Sequence, residues 1–480
     1  MNKEHNPLFK RWKKGDIRVG LVYPNTYKSG IANVGIQQIY AEVNLLEGFV
    51  CERFYGDVFN CRRSVETGTR IEDFDVLLFS VQFEEDYFKI AKFKDLKAIK
   101  VAGGPCVMEN PLPLTPHFDY FYIGEIDGDV EKLLETVLSK NEDKNVLKAE
   151  TILDISESES SVKVKKAELS YHLCEEIIGE SVYGKSFLLE IGRGCHRACS
   201  FCVVRQIYKP CRWRNLNLLL EVAENCKKVC NKIALISPSV TDYPNIKELM
   251  WELINMGFEV SPSSIRADTI DEEIAELLYL CGQKSFTVAP ETSERLRKVL
   301  RKGISDEDIF RALELVKGKL NNVKLYYMIG IPKESEEDIS SIVELTKKVK
   351  KDGFKVTVSV NPLVPKPHTP LQFAPFGGFN ADFCDVVNTL KKRLRQLLRL
   401  RKLGIKVSVE KVEDFAVQTI LSRGNREVGE HLKFGKKAML RKFPELLKEL
   451  DLERKHWEFL DHGYSFKKLR KEYEILLEKG

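Results

Sequence analysis

Short apolar runs alternate with longer amphipathic stretches along most of this chain, and the pattern changes character three times. Up to about Glu142 the runs IRVGLVYP, DVLLFSV, KAIKVAGGP and DYFYIGE are nearly continuous, and VGIQQIYAEVNLL carries a helical period between the first two. Continuous apolar strands separated by helices predict an α/β, doubly wound, Rossmann-like parallel sheet covered on both faces. A polar stretch from Lys140 to about Lys185, with DISESESSVKVKKAELS inside it, reads as an exposed linker or a small hairpin. Six further strand-like runs follow: SFLLEIG, KIALISPSV, FEVSPSSIRAD, KSFTVAPET, VKLYYMIGIP and KVTVSVNPL. All but the last lead into amphipathic helices, and Asp306 and Ser335 open two of these with acidic residues behind them. Repeated βα units predict a partial, TIM-type (βα)6 barrel with its active site at the carboxyl ends of the strands. The remainder reads as mainly helical, with one strand at IKVSVEKV. The expected organisation is thus a sheet domain at 1–142, a linker at 143–184, a barrel at 185–376 and a helical region at 377–480.

Composition narrows the class. At 480 residues the chain is long enough for two or three domains, and its 31% charged and 10% aromatic residues suit a soluble protein. No apolar run approaches the roughly twenty residues of a membrane span. The opening MNKEHNPLFKRWKKGD has no apolar signal-peptide core, so a cytoplasmic location is expected. Twelve cysteines in such a setting point to metal or redox chemistry rather than to disulfides. The net charge of +5 is uneven: from Asn380 onward there are 24 Lys+Arg against 16 Asp+Glu. That basic region reads either as an RNA-binding surface or as a solvated helical face.

The chemistry concentrates in EIGRGCHRACSFC, where Cys195, Cys199 and Cys202 follow a strand with the spacing C-x3-C-x2-C. Thiolates are the usual ligands of iron–sulfur clusters, and a cubane normally takes four. The next cysteine, Cys211, is nine residues on, so three ligands would leave one iron open to an exogenous group. A zinc site completed by His196 or Cys211 is the competing reading of the same residues.

This loop resembles that of the radical S-adenosylmethionine (radical SAM) superfamily, whose signature is C-x3-C-aromatic-C after the first barrel strand. The resemblance implies a [4Fe–4S] cluster on Cys195, Cys199 and Cys202, with SAM on the open iron and Phe201 beside the adenine. It also implies reductive cleavage of SAM to a 5′-deoxyadenosyl radical, with an electron donor such as flavodoxin or ferredoxin. Further matches assign SAM contacts to Ser263 and Arg266 in SPSSIRAD and to Glu291 in TVAPET. Arg266 and Glu291 read equally well as partners in structural ion pairs. Ile329 and Gly330 are assigned in YYMIGIPKESEED, where Tyr327 stands in place of the family's glycine. Ser237 and Ser239 lie where the family's glycine-rich segment would be.

The first block resembles the cobalamin-binding-like domain ahead of many radical SAM barrels, most clearly in GGPCVMENPLPLTPHFDYFYIGE. The resemblance implies that Gly103, Gly104 and Gly124 let the backbone approach a corrin tail. The D-x-H-x-x-G motif of base-off cobalamin binding is absent, which leaves either a corrinoid without a histidine ligand or a bare scaffold. With cobalamin the implied reaction is methylation of an unactivated carbon. Without it, a methylthiolation-type reaction on RNA or a metabolite is the alternative, and a non-enzymatic iron–sulfur or zinc protein is the third. Cys51, Cys61 and Cys106 read as ordinary buried thiols rather than a second cluster site, and Cys226, Cys230 and Cys281 as core. NPLVPKPHTPLQF and ILSRGNREVGEHL resemble segments of the B12-associated subgroup, a radical SAM branch of unknown activity. They nominate His368, Arg423 and Arg426 as groups facing substrate or as loop and surface residues.

Overall fold

The structure is a computed structural model that describes residues 4–169 and 177–479. Six strands form the N-terminal sheet: β1 (Ile17–Tyr23), β2 (Phe49–Tyr55), β3 (Val76–Ser80), β4 (Ile99–Gly103), β5 (Tyr120–Tyr122) and β6 (Val146–Lys148). Their order is β2-β1-β3-β4-β5-β6, parallel throughout except for the antiparallel β6. Every residue of β3 is buried, as its unbroken VLLFS run requires when helices cover both faces. Alternate side chains feed two cores: Leu21, Leu78 and Val101 on one face, Val22, Leu77 and Ala102 on the other. The order reverses between β1 and β3, and in open α/β sheets ligands bind outside the carboxyl ends of the strands at such a point.

The six strands expected for the barrel form as β7 (Phe187–Glu190), β8 (Lys232–Ile236), β9 (Glu259–Pro262), β10 (Ser285–Glu291), β11 (Asn322–Ile329) and β12 (Lys355–Pro362). A seventh, β13 (Lys406–Val409), pairs parallel with β12 although it lies beyond residue 376, so the arc continues into the helical region. The ladders split into β7-β8-β9 and β10-β11-β12-β13. In β11 and β12 buried and open positions alternate strictly. Val323, Leu325, Tyr327 and Ile329 pack under the helices, while Tyr326 remains 45% exposed on the lumen side.

The stretch expected to be a linker is largely built into the fold. Within 143–184, β6 completes the N-terminal sheet, a helix spans Ala149–Glu157, and Val162–Lys163 pairs parallel with Leu460–Asp461. Lys165 bridges to Gly124, and Glu180–Ser181 with Gly184–Lys185 form a small hairpin. Residues 170–176 of that stretch lie outside the described residues. Polar composition misled here because these pieces are held by distant partners rather than by their own apolar content.

Much of the C-terminal positive charge sits between Lys391 and Lys411, including the exposed Arg395, Arg399, Arg401, Lys402 and Lys406. These flank the start of β13, at the amino ends of the barrel strands and away from the cysteine loop. Among the described residues, no helix is long and apolar enough to cross a membrane.

Candidate functional site

Strand β7 ends at Glu190, and the chain then makes a short antiparallel pairing, Gly192–Arg193 with Arg212–Trp213, that fixes the root of the cysteine loop. Gly194 has φ +82°, and a Cβ there would lie 2.4 Å from the Tyr208 carbonyl oxygen, so only glycine can turn the chain into Cys195. Arg193 anchors the same root. Its guanidinium donates to Glu190 Oε1 at 2.9 Å, Asp127 Oδ2 at 2.8 Å and Glu125 Oε2 at 3.1 Å. Glu125 also receives Arg212 at 2.7 Å, and Glu190 receives Arg214. The loop is thereby bolted to the IGE segment of the N-terminal sheet through a partly buried network of three carboxylates and three arginines.

Cys199 is buried, and Cys195 and Cys202 are partly open. Burial holds the thiols of Cys195 and Cys202 above the usual range, and the neighbouring cysteines push them further. Crowded thiolates of this kind are what a cationic iron core relieves, so the three residues fit a cluster. Among the described residues, no three His, Cys, Asp or Glu side chains converge on a single ion. A cubane does not ask for that, because each thiolate binds a separate iron; a zinc site does. His196 is exposed, and Cys211 lies across the loop with its Sγ 3.7 Å from the Gly194 carbonyl oxygen.

The nominated SAM contacts do not all come together. Phe201, Arg266 and Glu291 are linked through Lys302, which the sequence did not single out. Lys302 Nζ lies 2.9 Å from Glu291 Oε1 and 5.5 Å from the centre of the Phe201 ring, while Arg266 donates to the Lys302 carbonyl at 3.1 Å. Ser200 N donates to the Leu300 carbonyl at 2.9 Å, tying this segment to the cysteine loop. Arg266 is also doubly paired with Asp268, at 2.9 and 3.0 Å, and Arg197 joins Asp268 to Asp242. Both Arg266 and Glu291 therefore sit in ion pairs at the barrel mouth. Glu291 has φ +67°, an unusual conformation for a side-chain-bearing residue. Ser263 continues the ladder, its N–H donating to the Leu235 carbonyl at 3.1 Å.

Ile329 and Gly330 stand apart from that group. Strand parity turns Ile329 into the helix-facing core, fully buried, and leaves Met328 on the lumen side beside the cluster of side chains that Phe201 joins. Gly330 donates its N–H to Glu334 Oε2 at 2.9 Å and packs against Gly377. A two-residue period lets either Met328 or Ile329 face the lumen, and Tyr327, hydrogen-bonded to Thr346 on the covering helix, fixes which one does.

Gly103, Gly104, Gly124 and Ser237 instead share one cavity of about 380 Å³. It opens at the carboxyl ends of β1, β3, β4 and β5 and runs to Arg193 and Gly194, directly before Cys195. That volume suits a drug-sized ligand. The glycines differ in kind. A Cβ on Gly104 would strike the Val81 carbonyl at 2.8 Å and one on Gly124 would strike Lys165 at 2.6 Å, so both are required by packing. Gly103 has ordinary space around it, 3.8 Å to the nearest atom, and its missing side chain keeps the cavity open. The Ser237 Oγ is buried without a partner. Mostly apolar walls, a few polar groups and no histidine among the lining residues fit the tail of a corrinoid held without a histidine ligand.

His368 and Arg423 are buried in packing contacts, and Arg426 lines a separate, more polar cleft with His117 and Lys148. His368 is fully buried, with Nε2–H donating to the Glu109 carbonyl at 2.9 Å and Nδ1 accepting from Tyr464 at 2.6 Å. Burial lowers its pKa to about 3, so the ring stays neutral. Arg423 donates to four carbonyls, those of Leu446, Lys448, Gln372 and Ala374. Arg426 is exposed and pairs with Glu430 at 3.0 Å. Cys51 and the pair Cys61 and Cys106 are buried in the cores on opposite faces of the sheet, and so cannot share a second cluster.

Comparison with known proteins gives this geometry a lineage. Residues 189–346 match the family model of the radical SAM superfamily, and residues 35–162 match that of radical SAM protein N-terminal regions. The uncharacterized protein MJ0966 of Methanocaldococcus jannaschii is 38% identical over 441 residues, spanning 87% of this chain and 91% of that one. The tRNA-2-methylthio-N(6)-dimethylallyladenosine synthase of Sulfurihydrogenibium sp. is 26% identical over 49% of this chain and 54% of its own length. Among solved structures, the radical SAM methyltransferase TsrM of Kitasatospora setae, with tryptophan and a SAM analogue bound, superposes with a TM-score of 0.54. It is 15% identical over 74% of this chain and 75% of that chain, a likeness of fold.

Proposed function

This chain is a radical SAM enzyme, a member of the radical SAM superfamily, and we propose that it is a cobalamin-dependent member that methylates an unactivated carbon. The observation that carries this reading is the single cavity joining the strand ends of the N-terminal sheet to the residues just ahead of Cys195. A group seated on the sheet would face the site where SAM is cleaved.

Cys195, Cys199 and Cys202 would hold the [4Fe–4S] cluster, which on reduction supplies the electron that splits SAM into methionine and a 5′-deoxyadenosyl radical. A corrinoid in the cavity would supply the methyl group. The remaining work belongs to the chain's own side chains. Lys302 pairs with Glu291 and orients it at the mouth while its charge lies over the Phe201 ring, leaving that ring's other face for an adenine. Arg193 and Arg212 hold Glu125 and Asp127, setting the distance between sheet and cysteine loop. Gly103 gives the tail its room, and the apolar walls exclude water.

A methylthiolation-type reaction draws support from the named activity of the Sulfurihydrogenibium relative, but the separated Cys51, Cys61 and Cys106 offer no second cluster for it. The test is spectroscopic. Protein produced with added cobalamin should carry the visible bands of a bound corrinoid in stoichiometric amount. Gly103→Phe, which fills the cavity, should lose those bands and keep its iron and sulfide. Wild-type protein with a full cluster and no retained corrinoid would remove the methyltransferase reading.

A further inference from the structure

The helix Phe466–Lys479 closes over the flank of the cysteine loop, and its charges suggest what that flank meets. Glu472, nearly buried, reaches Arg205 at 3.3 Å and Arg301 at 3.0 Å. Both arginines touch the loop region. Arg205 lies three residues past Cys202 and donates to the Ala198 carbonyl at 3.2 Å, and Arg301 follows Leu300, whose carbonyl accepts from Ser200. Beneath the helix, Tyr473 and Leu476 pack in the same apolar cluster that Phe201 adjoins, so the helix is fixed against the site.

The outer surface here is basic around a small apolar centre. Lys468 stands one turn before Glu472 on the same helical face and is exposed, and Ile475, three residues after Glu472, is 37% exposed. Lys298 is 74% exposed and Arg301 48% exposed by side chain, and the Arg301 N–H donates to the Lys298 carbonyl at 3.2 Å. Glu294, paired with Lys298 at 2.7 Å, the covered Glu472 and the exposed Glu478 are the acids near these groups, and Lys471 and Lys479 flank Ile475 on the same helical face. Five exposed cations, Lys298, Arg301, Lys468, Lys471 and Lys479, against three acids, with an aliphatic side chain among them, is the layout of a transient protein interface with a charged rim.

We propose that this face, Lys298, Arg301 and Lys468 around Ile475, is the docking surface for a small acidic one-electron carrier protein that reduces the cluster. The inference rests on the radical SAM reading. One electron leaves the reduced carrier, which is thereby oxidised, and enters the cluster through the Cys199–Cys202 side, the side that Arg205 and Leu300 contact. Charge complementarity selects the carrier, and placement beside the loop keeps the transfer distance short.

The experiment compares two reductants. Wild type, Lys298→Glu/Lys468→Glu and Arg301→Gln are reconstituted with iron and sulfide, and 5′-deoxyadenosine formation is measured with reduced two-cluster ferredoxin and, separately, with dithionite. The expected result is a loss of about tenfold in ferredoxin-driven kcat/KM at low salt, abolished at high salt, with dithionite-driven turnover unchanged. Unchanged ferredoxin-driven rates, or equal losses with both reductants, would overturn the docking surface alone. Failure of wild-type protein to cleave SAM with either reductant would overturn the radical SAM reading together with it.

Discussion

Lys302 carries more of the site than its place in the chain suggests. It is the contact common to Phe201, Glu291 and Arg266, and it adds a positive charge where a nucleoside with an anionic tail would lie. Lys302→Met removes the partner of Glu291 and the cation over Phe201 while keeping the volume. SAM binding is expected to weaken about tenfold, with iron and sulfide content unchanged, when SAM is titrated against the reduced cluster. Nothing in the sequence marks this lysine among 76 Lys and Arg. Its role depends on a backbone turn that returns Lys302 to the mouth, a tertiary fact that local pattern does not encode. The cysteine loop was legible for the opposite reason: its three thiols are close in sequence as well as in space, so their spacing alone marks them as candidate ligands.

At the scale of elements, the segments Pro105–Glu109 and Lys366–His368 form a clamp between the sheet domain and the barrel. Lys366 stands between Glu84 and Glu109, 3.1 Å from the latter. Glu84 also receives Gln418 at 2.9 Å and Ser422 at 2.7 Å; burial raises its pKa, but the Lys366 charge, helped by these two donors, holds the carboxyl below the ordinary range. Glu109 has only the shared lysine, and burial pushes its pKa up to about 7. The folded protein therefore takes up a proton at Glu109 between the ordinary carboxylate range and about pH 7. Its contribution to stability is present at the acid end of that window and is lost as the pH rises through about 7. Glu109→Gln should accordingly gain in Tm relative to wild type as pH is raised from 5 to 8, and a flat difference across that range would contradict this account. Nearby, Arg423→Ala would leave four carbonyls of two loops without their donor, and a loss of at least about 3 kcal/mol is expected in chemical denaturation. The KPHTP and SRG motifs thus serve assembly. Sequence singled them out but could not say whether His368 and Arg423 face substrate or other segments of the same chain, since burial depends on which distant segments meet.

Across the whole molecule, strands and their order of appearance were legible because continuous apolar runs and repeated βα units are local signals. The division into parts was less so. The stretch 143–184 lends a strand to the N-terminal sheet and another to a pairing with Leu460–Asp461, and β13 extends the barrel from beyond residue 376. Such pieces are three or four residues long or shorter, too short to announce themselves. The sheet, the arc and the C-terminal helix are interlocked around one loop, so on the proposed reading a ligand on the sheet and a radical at the mouth would be held at a fixed separation. That arrangement matters only if the loop carries the chemistry. The most direct measurement is the yield of 5′-deoxyadenosine from SAM by anaerobically reconstituted, reduced protein, for wild type and for Cys195→Ala, Cys199→Ala and Cys202→Ala. The account predicts product from the wild type and a loss of at least about a hundredfold in every variant; cleavage that survives removal of any one of these cysteines, or a fully loaded wild type that leaves SAM intact, would contradict it.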